Sequence, residues 1–180
     1  MDAPSGAHQE IAVPASIFAT LRRELAKEAG VLPTIHALHA SGYEAGTAAA
    51  VAFRGAPSDD VGALPQDEFW ARLVAFFTRR GWGTLTHTPR HPAVGLLSSS
   101  DWVEGAERRD DDDASCSFST GFLSGLLTEL AGGPVAVLEV TCHARGDDQC
   151  SFAFGSAAAV HELYGQLLGG AELDGALATL

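Results

Sequence analysis

Apolar residues recur at helical spacing in several stretches of the chain and cluster at strand spacing in others. Val13-Pro14-Ala15-Ser16 suits a helix start; Ile17, Leu21 and Leu25 then fall every four residues with Phe18 beside them, and Gly30 with Pro33 close the segment. Thr34 to Phe53 predicts a second helix made of alanine, glycine and scattered larger residues, in which Gly42 and Gly46 line one stripe. Such a stripe lets another helix approach closely, and it is also a natural dimer contact. Gly55-Ala56-Pro57-Ser58-Asp59-Asp60 is a loop by composition. Leu64-Pro65-Gln66-Asp67-Glu68 opens a third helix with Phe69, Trp70, Leu73, Val74, Phe76 and Phe77 on its apolar face, and Arg79-Arg80-Gly81 ends it.

Trp82 to Thr88 and Val94 to Ser99 read as a hairpin around the turn Pro89-Arg90-His91-Pro92, with Asp101-Trp102-Val103-Glu104 extending the second strand. Arg108-Arg109 and the run Asp110 to Asp113 form a charged surface loop. A fourth helix from Ser117 to Leu130 carries Phe122, Leu123, Leu126, Leu127 and Leu130, with Gly121 and Gly125 between them, and stops at Gly132-Gly133-Pro134. Val135 to Val140 is a buried strand, Gly146-Asp147-Asp148 a turn, Cys150 to Phe154 the returning strand, and Ala157 to Leu168 the last helix. The pattern predicts an α+β fold: a single domain of about five helices packed with an antiparallel sheet, over residues 11–168, between a flexible N-terminus (1–10) and a C-terminal tail (169–180).

At 180 residues, 46% hydrophobic and 19% charged, the chain has material for one well-packed core. Its net charge of −12 repels phosphate backbones and anionic lipid, which argues against direct nucleic-acid binding. No apolar run approaches the roughly 18 residues of a membrane span. The first ten residues lack a basic, apolar leader, and three cysteines cannot all pair with one another, so a cytoplasmic, reducing location is expected. The sequence holds no Gly-x-Ser-x-Gly elbow, no dinucleotide-binding glycine fingerprint and no Cys-x-x-Cys, and no catalytic residue is assigned.

The cysteines carry the candidate chemistry. If the hairpin is symmetric about Gly146, Cys142 faces Cys150, Val140 faces Phe152 and Leu138 faces Phe154, all on one side. Opposed cysteines can pair as a disulfide, offer thiolates to a metal, or sit as ordinary core residues. A tetrahedral site needs further donors: Cys116 and Glu139 could supply them, with His143 competing for the fourth position. In a regular strand Glu139 points away from Cys142, so its participation requires a bulge or early turn near Thr141.

Cys116, Gly121-Phe122-Leu123-Ser124-Gly125, Val137-Leu138-Glu139-Val140-Thr141-Cys142, Ala144-Arg145-Gly146 and Cys150-Ser151-Phe152 together closely resemble the 4-vinyl reductase (4VR) domain. That family is also found as the effector-sensing domain of phenol- and xylene-responsive activators and is related in fold to TRAPP vesicle-tethering subunits. Val13-Pro14, Ser41-Gly42-Tyr43-Glu44-Ala45-Gly46 and Gly81-Trp82-Gly83 extend the likeness over residues 11–168. The resemblance implies a structural zinc ion on Cys116, Glu139, Cys142 and Cys150. It further implies a nearby pocket for a small apolar or aromatic molecule, a hydrocarbon among them, in which a tryptophan and a histidine hold the ligand hydroxyl. Trp102 stands where that tryptophan is expected, His87 is a candidate for the histidine, and Phe76, Phe77, Phe122 and Tyr43 are candidates for the lining.

The expected function is a ligand-binding or sensory domain, homodimeric, acting through a downstream regulatory protein because the chain has no ATPase module or DNA-binding helix pair of its own. The alternatives are a carrier or accessory protein in tetrapyrrole vinyl reduction, of the bacteriochlorophyll type, and a dimeric structural adaptor.

Overall fold

A computed structural model of the chain describes residues 10–55, 61–107 and 116–180. The predicted acidic surface loop, most of the Gly55–Asp60 loop and most of the N-terminal segment lie outside the described residues. The six helices are α1 (Ser16–Ala29), α2 (Val31–Arg54), α3 (Gln66–Arg79), α4 (Ser117–Ala131), α5 (Ala157–Leu168) and α6 (Leu173–Leu177). The four strands are β1 (Thr86–His91), β2 (Val94–Ser99), β3 (Ala136–Thr141) and β4 (Cys150–Gly155), in one antiparallel sheet of order β1-β2-β4-β3. This is the α+β single-domain architecture that the apolar pattern predicts.

The sheet separates two apolar layers. On one face, Leu97 and Phe152 meet Phe53 of α2, Leu73, Phe76 and Phe77 of α3, and Phe122, Leu123 and Leu126 of α4. On the other, Val94, Leu96 and Ala153 meet Leu163 of α5 and Ala176 and Leu177 of α6. The residues read as a tail thus contain a short helix whose two apolar side chains are buried.

The close helix contact is internal. A Cβ at Gly42 would fall on the carbonyl of Phe118, one at Gly46 on that of Phe122, one at Gly121 on that of His39 and one at Gly125 on that of Tyr43. These four glycines bring the α2 and α4 backbones together along a shared seam, the arrangement in which Cα–H groups face carbonyl oxygens. The stripe on α2 is therefore covered by α4 of the same chain and is not available as a dimer contact.

Several local expectations are corrected. Gly30, at φ 89°, alone breaks α1 from α2, and Pro33 lies in the first turn of α2, where its missing N–H leaves no helical bond unmade. The first hairpin turns at Pro92 and Ala93 rather than at Pro89, because β1 is an edge strand and tolerates a proline. Asp101–Glu104 does not prolong β2. Asp101 accepts from the Thr84 N–H at 2.8 Å, and the chain then curls into a 3₁₀ turn, Val103–Gly105.

The second hairpin departs from simple symmetry in the way that matters most for the site. Val137 pairs with Phe154, Leu138 with Ala153 and Glu139 with Phe152, but Thr141 pairs with Ser151, so the register slips by one residue at Val140. Leu138 and Val140 consequently pack on the α5–α6 side, not beside Phe152 and Phe154. A bulge of this kind carries the residues before and after it onto the same face.

Candidate metal centre and apolar groove

Three elements converge on one buried point. Cys116 is the residue at the N-cap of α4, Glu139 lies just before the bulge of β3, Cys142 follows β3, and Cys150 opens β4. One donor atom from each lies within 4.8 Å of every other. The Cys116 sulfur is 3.9 Å from that of Cys142 and 3.7 Å from that of Cys150, and all three cysteines are fully buried and unpaired by disulfide. Thiolates about 2.3 Å from one tetrahedral zinc ion stand roughly 3.8 Å apart, so the spacing suits a shared ion.

Two further observations bear on that fit. The Cys116 N–H donates to Glu139 Oε2 at 2.9 Å, while Glu139 Oε1 is buried without any partner among the described residues. A buried carboxylate oxygen with no donor is costly, and a cation among the sulfurs is the partner it lacks. Gly105, in the 3₁₀ turn, covers the cluster so closely that a Cβ there would collide with the Cys150 sulfur and come within 3.5 Å of that of Cys116. His143 is held apart: its Nδ1 is 3.0 Å from the Asp147 carbonyl, and its backbone N–H donates to the Cys150 sulfur at 3.4 Å. The fourth position thus goes to Glu139, brought round by the bulge, and not to His143.

The electrostatics are those of a cation site without its cation. The Cys150 thiol is drawn down to about 4 by hydrogen bonds from Cys116 and Cys142, whereas the Cys116 thiol is pushed up by those same contacts and by burial. Burial first, and then the neighbouring Cys142, pushes the Glu139 carboxyl up to about 8. Asp147 completes the surroundings by accepting the Cys142 N–H at 2.6 Å, which fixes the knuckle between β3 and β4.

Behind Gly105 lies a buried polar chain that sequence reasoning missed. Glu104 Oε1 accepts from Arg22 of α1 at 3.0 Å and from the Phe118 N–H at 3.1 Å, while Oε2 accepts from the Ser119 N–H at 2.7 Å and its hydroxyl at 2.5 Å. The carboxylate caps the N-terminus of α4. Trp102 belongs to this network: its Nε1–H donates to Ser119 Oγ at 2.8 Å, and its ring is buried against Phe77, Trp82 and Phe152. Phe76, Phe77 and Phe122 lie in the same core. Tyr43 is half-buried on α2, with its backbone along the glycine seam. His87 of β1 stacks on Trp70 at 3.7 Å between ring centres. No short-range signal marks Glu104, because its charged partner is 82 residues away.

The cavity found in the structure is elsewhere from the Trp102 cluster. It is an open groove of about 410 Å³ between the 3₁₀ turn Val61–Ala63, α3, the end of α4 and the sheet, and its walls include Leu64, Phe69, Trp70, Leu127, Leu130 and Phe154. Among the six residues expected to line a pocket, none forms its wall, although His87 reaches it through Trp70. Trp70 Nε1 is buried without an acceptor among the described residues.

Comparison with known proteins agrees with the site and the fold. Residues 104–156, which contain all four donors, match the model of the vinyl-4-reductase (4VR) domain. The chain is 31% identical over 83 residues to an uncharacterised protein of Methanocaldococcus jannaschii, a match that covers 46% of this chain and 44% of that protein and so spans less than half of either. The phenol-responsive sensory domain of the transcription activator PoxR, solved with phenol, superposes with a TM-score of 0.69 at 15% identity over 88% of this chain and 82% of the other. Subunit 3 of a trafficking protein particle complex from Naegleria fowleri, covalently bound to palmitic acid, gives 0.63 at 16% identity over 78% and 91%. A vinyl-4-reductase family protein from Methanocaldococcus jannaschii gives 0.50 at 16% identity over 81% and 83%. At these identities the structural likeness is one of fold. No described helix is long and apolar enough to cross a membrane.

Proposed function

We propose that this protein is a zinc-stapled sensory module that binds a small apolar or aromatic molecule and passes the binding on to a partner protein. The observation that carries the reading is the pairing of a closed Cys₃Glu cluster with a separate apolar groove in one small domain. Four protein donors leave no open coordination position, so a zinc ion here would fasten α4 to the β3–β4 hairpin and would not activate water. The residues do the remaining work: Cys116, Cys142 and Cys150 supply thiolates, Glu139 supplies the oxygen, and Gly105 excludes solvent from above.

The likeness of fold to the sensory domain of PoxR supports the ligand-binding half of the proposal. An apolar groove of this size falls within the range of small-molecule sites. Leu21, Leu25, Val31 and Leu32 leave an exposed apolar surface on α1 and the start of α2, which suits a homodimer or a regulatory partner. The thiols suit a reducing compartment such as the cytoplasm.

Native mass spectrometry of untagged protein purified without chelator tests the proposal. The expected species carries one zinc per chain together with a small organic molecule. A metal-free chain that binds no apolar probe would overturn it.

A further inference from the structure

The walls of the groove say more about its occupant than that it is apolar. None of the lining residues carries a charge, and none is a cysteine, serine or lysine that could hold a ligand covalently. The cations on the flanking helices are engaged: Arg72 donates to the carbonyls of Phe53 and Arg54, each at 2.7 Å, and Arg54 donates to the carbonyl of Glu129 and stands 3.8 Å from its carboxylate. The sequence that leads into Val61 is Ser58-Asp59-Asp60, and the chain as a whole is strongly anionic. A carboxylate ligand would find repulsion here and no counter-ion.

One wall residue is nevertheless polar and unmet. Trp70 Nε1–H is buried with no acceptor, while its ring is fixed face-to-face by His87 at 3.7 Å and edge-on by Phe69 at 4.9 Å. A buried indole N–H ordinarily finds a partner, and the described residues around Trp70 offer none. We propose that the groove takes a neutral, largely apolar molecule bearing one hydrogen-bond acceptor, held without a covalent bond, and that the Trp70 indole N–H is the donor that selects it. This rests on the ligand-binding reading above and adds the class of ligand and the residue that reads it.

Three probes of similar size test it by equilibrium binding to the zinc-loaded protein: naphthalene, 1-methoxynaphthalene and 1-naphthoate. The wild-type protein is expected to bind 1-methoxynaphthalene about fivefold more tightly than naphthalene, the effect of one ordinary hydrogen bond, and 1-naphthoate more weakly than either. Trp70→Phe keeps the ring and removes the N–H; it should bind naphthalene as before, which also certifies the fold, and bring the two neutral probes within about twofold. Equal or tighter binding of 1-naphthoate, or a preference for the methoxy probe that survives in Trp70→Phe, overturns the proposal while leaving the ligand-binding reading in place. Ala131→Trp, a change at the exposed end of the groove, should abolish binding of all probes. Undiminished binding in that variant, or no binding of any probe to the wild type, overturns both.

Discussion

Replacing Gly46 with alanine separates local propensity from tertiary packing, because the two predict opposite signs. In an exposed helix the change is worth about 0.5–1 kcal/mol of added stability. At Gly46, however, the new Cβ would fall on the Phe122 carbonyl oxygen, 2.8 Å from that carbonyl's carbon and 2.9 Å from the Leu126 nitrogen. Ordinary non-bonded contact is about 3.5–4.0 Å, and all three atoms belong to the α4 backbone, which cannot rotate aside. The helices must part by roughly 1 Å, loosening Phe122, Leu123 and Leu126 against the sheet, a kind of overpacking that typically costs about 1–3 kcal/mol. The net expectation is a loss of about 2 kcal/mol and, for a chain of this size, a fall of about 4–8 °C in melting temperature. Gly165→Ala provides the control, since that glycine lies within α5 and a Cβ there meets nothing within 4 Å. It should gain up to about 1 kcal/mol. Paired thermal and urea melts of metal-saturated protein decide the matter, and a Gly46→Ala variant as stable as wild type would refute the seam as described.

Cys142→Ser should drop zinc content below one per chain and lower the melting temperature by on the order of 10 °C; elemental analysis and calorimetry of the same sample check both. Zinc binding to the apo protein should release protons, because Glu139, at about 8 when metal-free, and Cys116, with its raised thiol, both carry them at pH 7. Roughly two protons per zinc are expected from titrations in buffers of different ionisation heat, with affinity rising through pH 6–8; pH-independent binding would contradict the assignment. The apo fold alone behaves oppositely: with its pKa raised from 4.5 to about 8, Glu139 contributes stability fully below pH 4.5 and loses it as pH rises through 8. Glu104→Ala leaves Arg22 buried without its partner and should cost about 3–5 kcal/mol, more than the double change with Arg22→Met; urea melts of the single and double variants give the comparison.

The helices and strands were largely legible because their apolar residues repeat over stretches longer than the errors at their ends. The glycine stripe was legible as close packing, but the identity of its partner was not, since Gly121 and Gly125 lie more than seventy residues further along the chain. Three cysteines and Glu139 could be named, and the need for a bulge could be stated, because alternation is a local rule; that the slip falls at Val140 depends on which residue of β4 each neighbour meets. Trp102 could be singled out, but not its partner Ser119, nor the Glu104 carboxylate that receives Ser119 and Arg22 together. Those contacts join segments whose separation in sequence leaves no periodic trace. The groove was hidden for the same reason: its walls come from four separate elements, and only the folded chain shows that Trp70 meets no acceptor.

The most direct test of the metal centre is X-ray absorption at the zinc edge on protein loaded with one equivalent of zinc. The bulged hairpin and the N-cap of α4 predict three sulfur neighbours at about 2.3 Å and one oxygen at about 2.0 Å, with the oxygen signal lost or replaced by solvent in Glu139→Ala. A wild-type spectrum showing nitrogen and oxygen ligands only, or a protein that takes up no zinc with all three thiols reduced, would contradict the account.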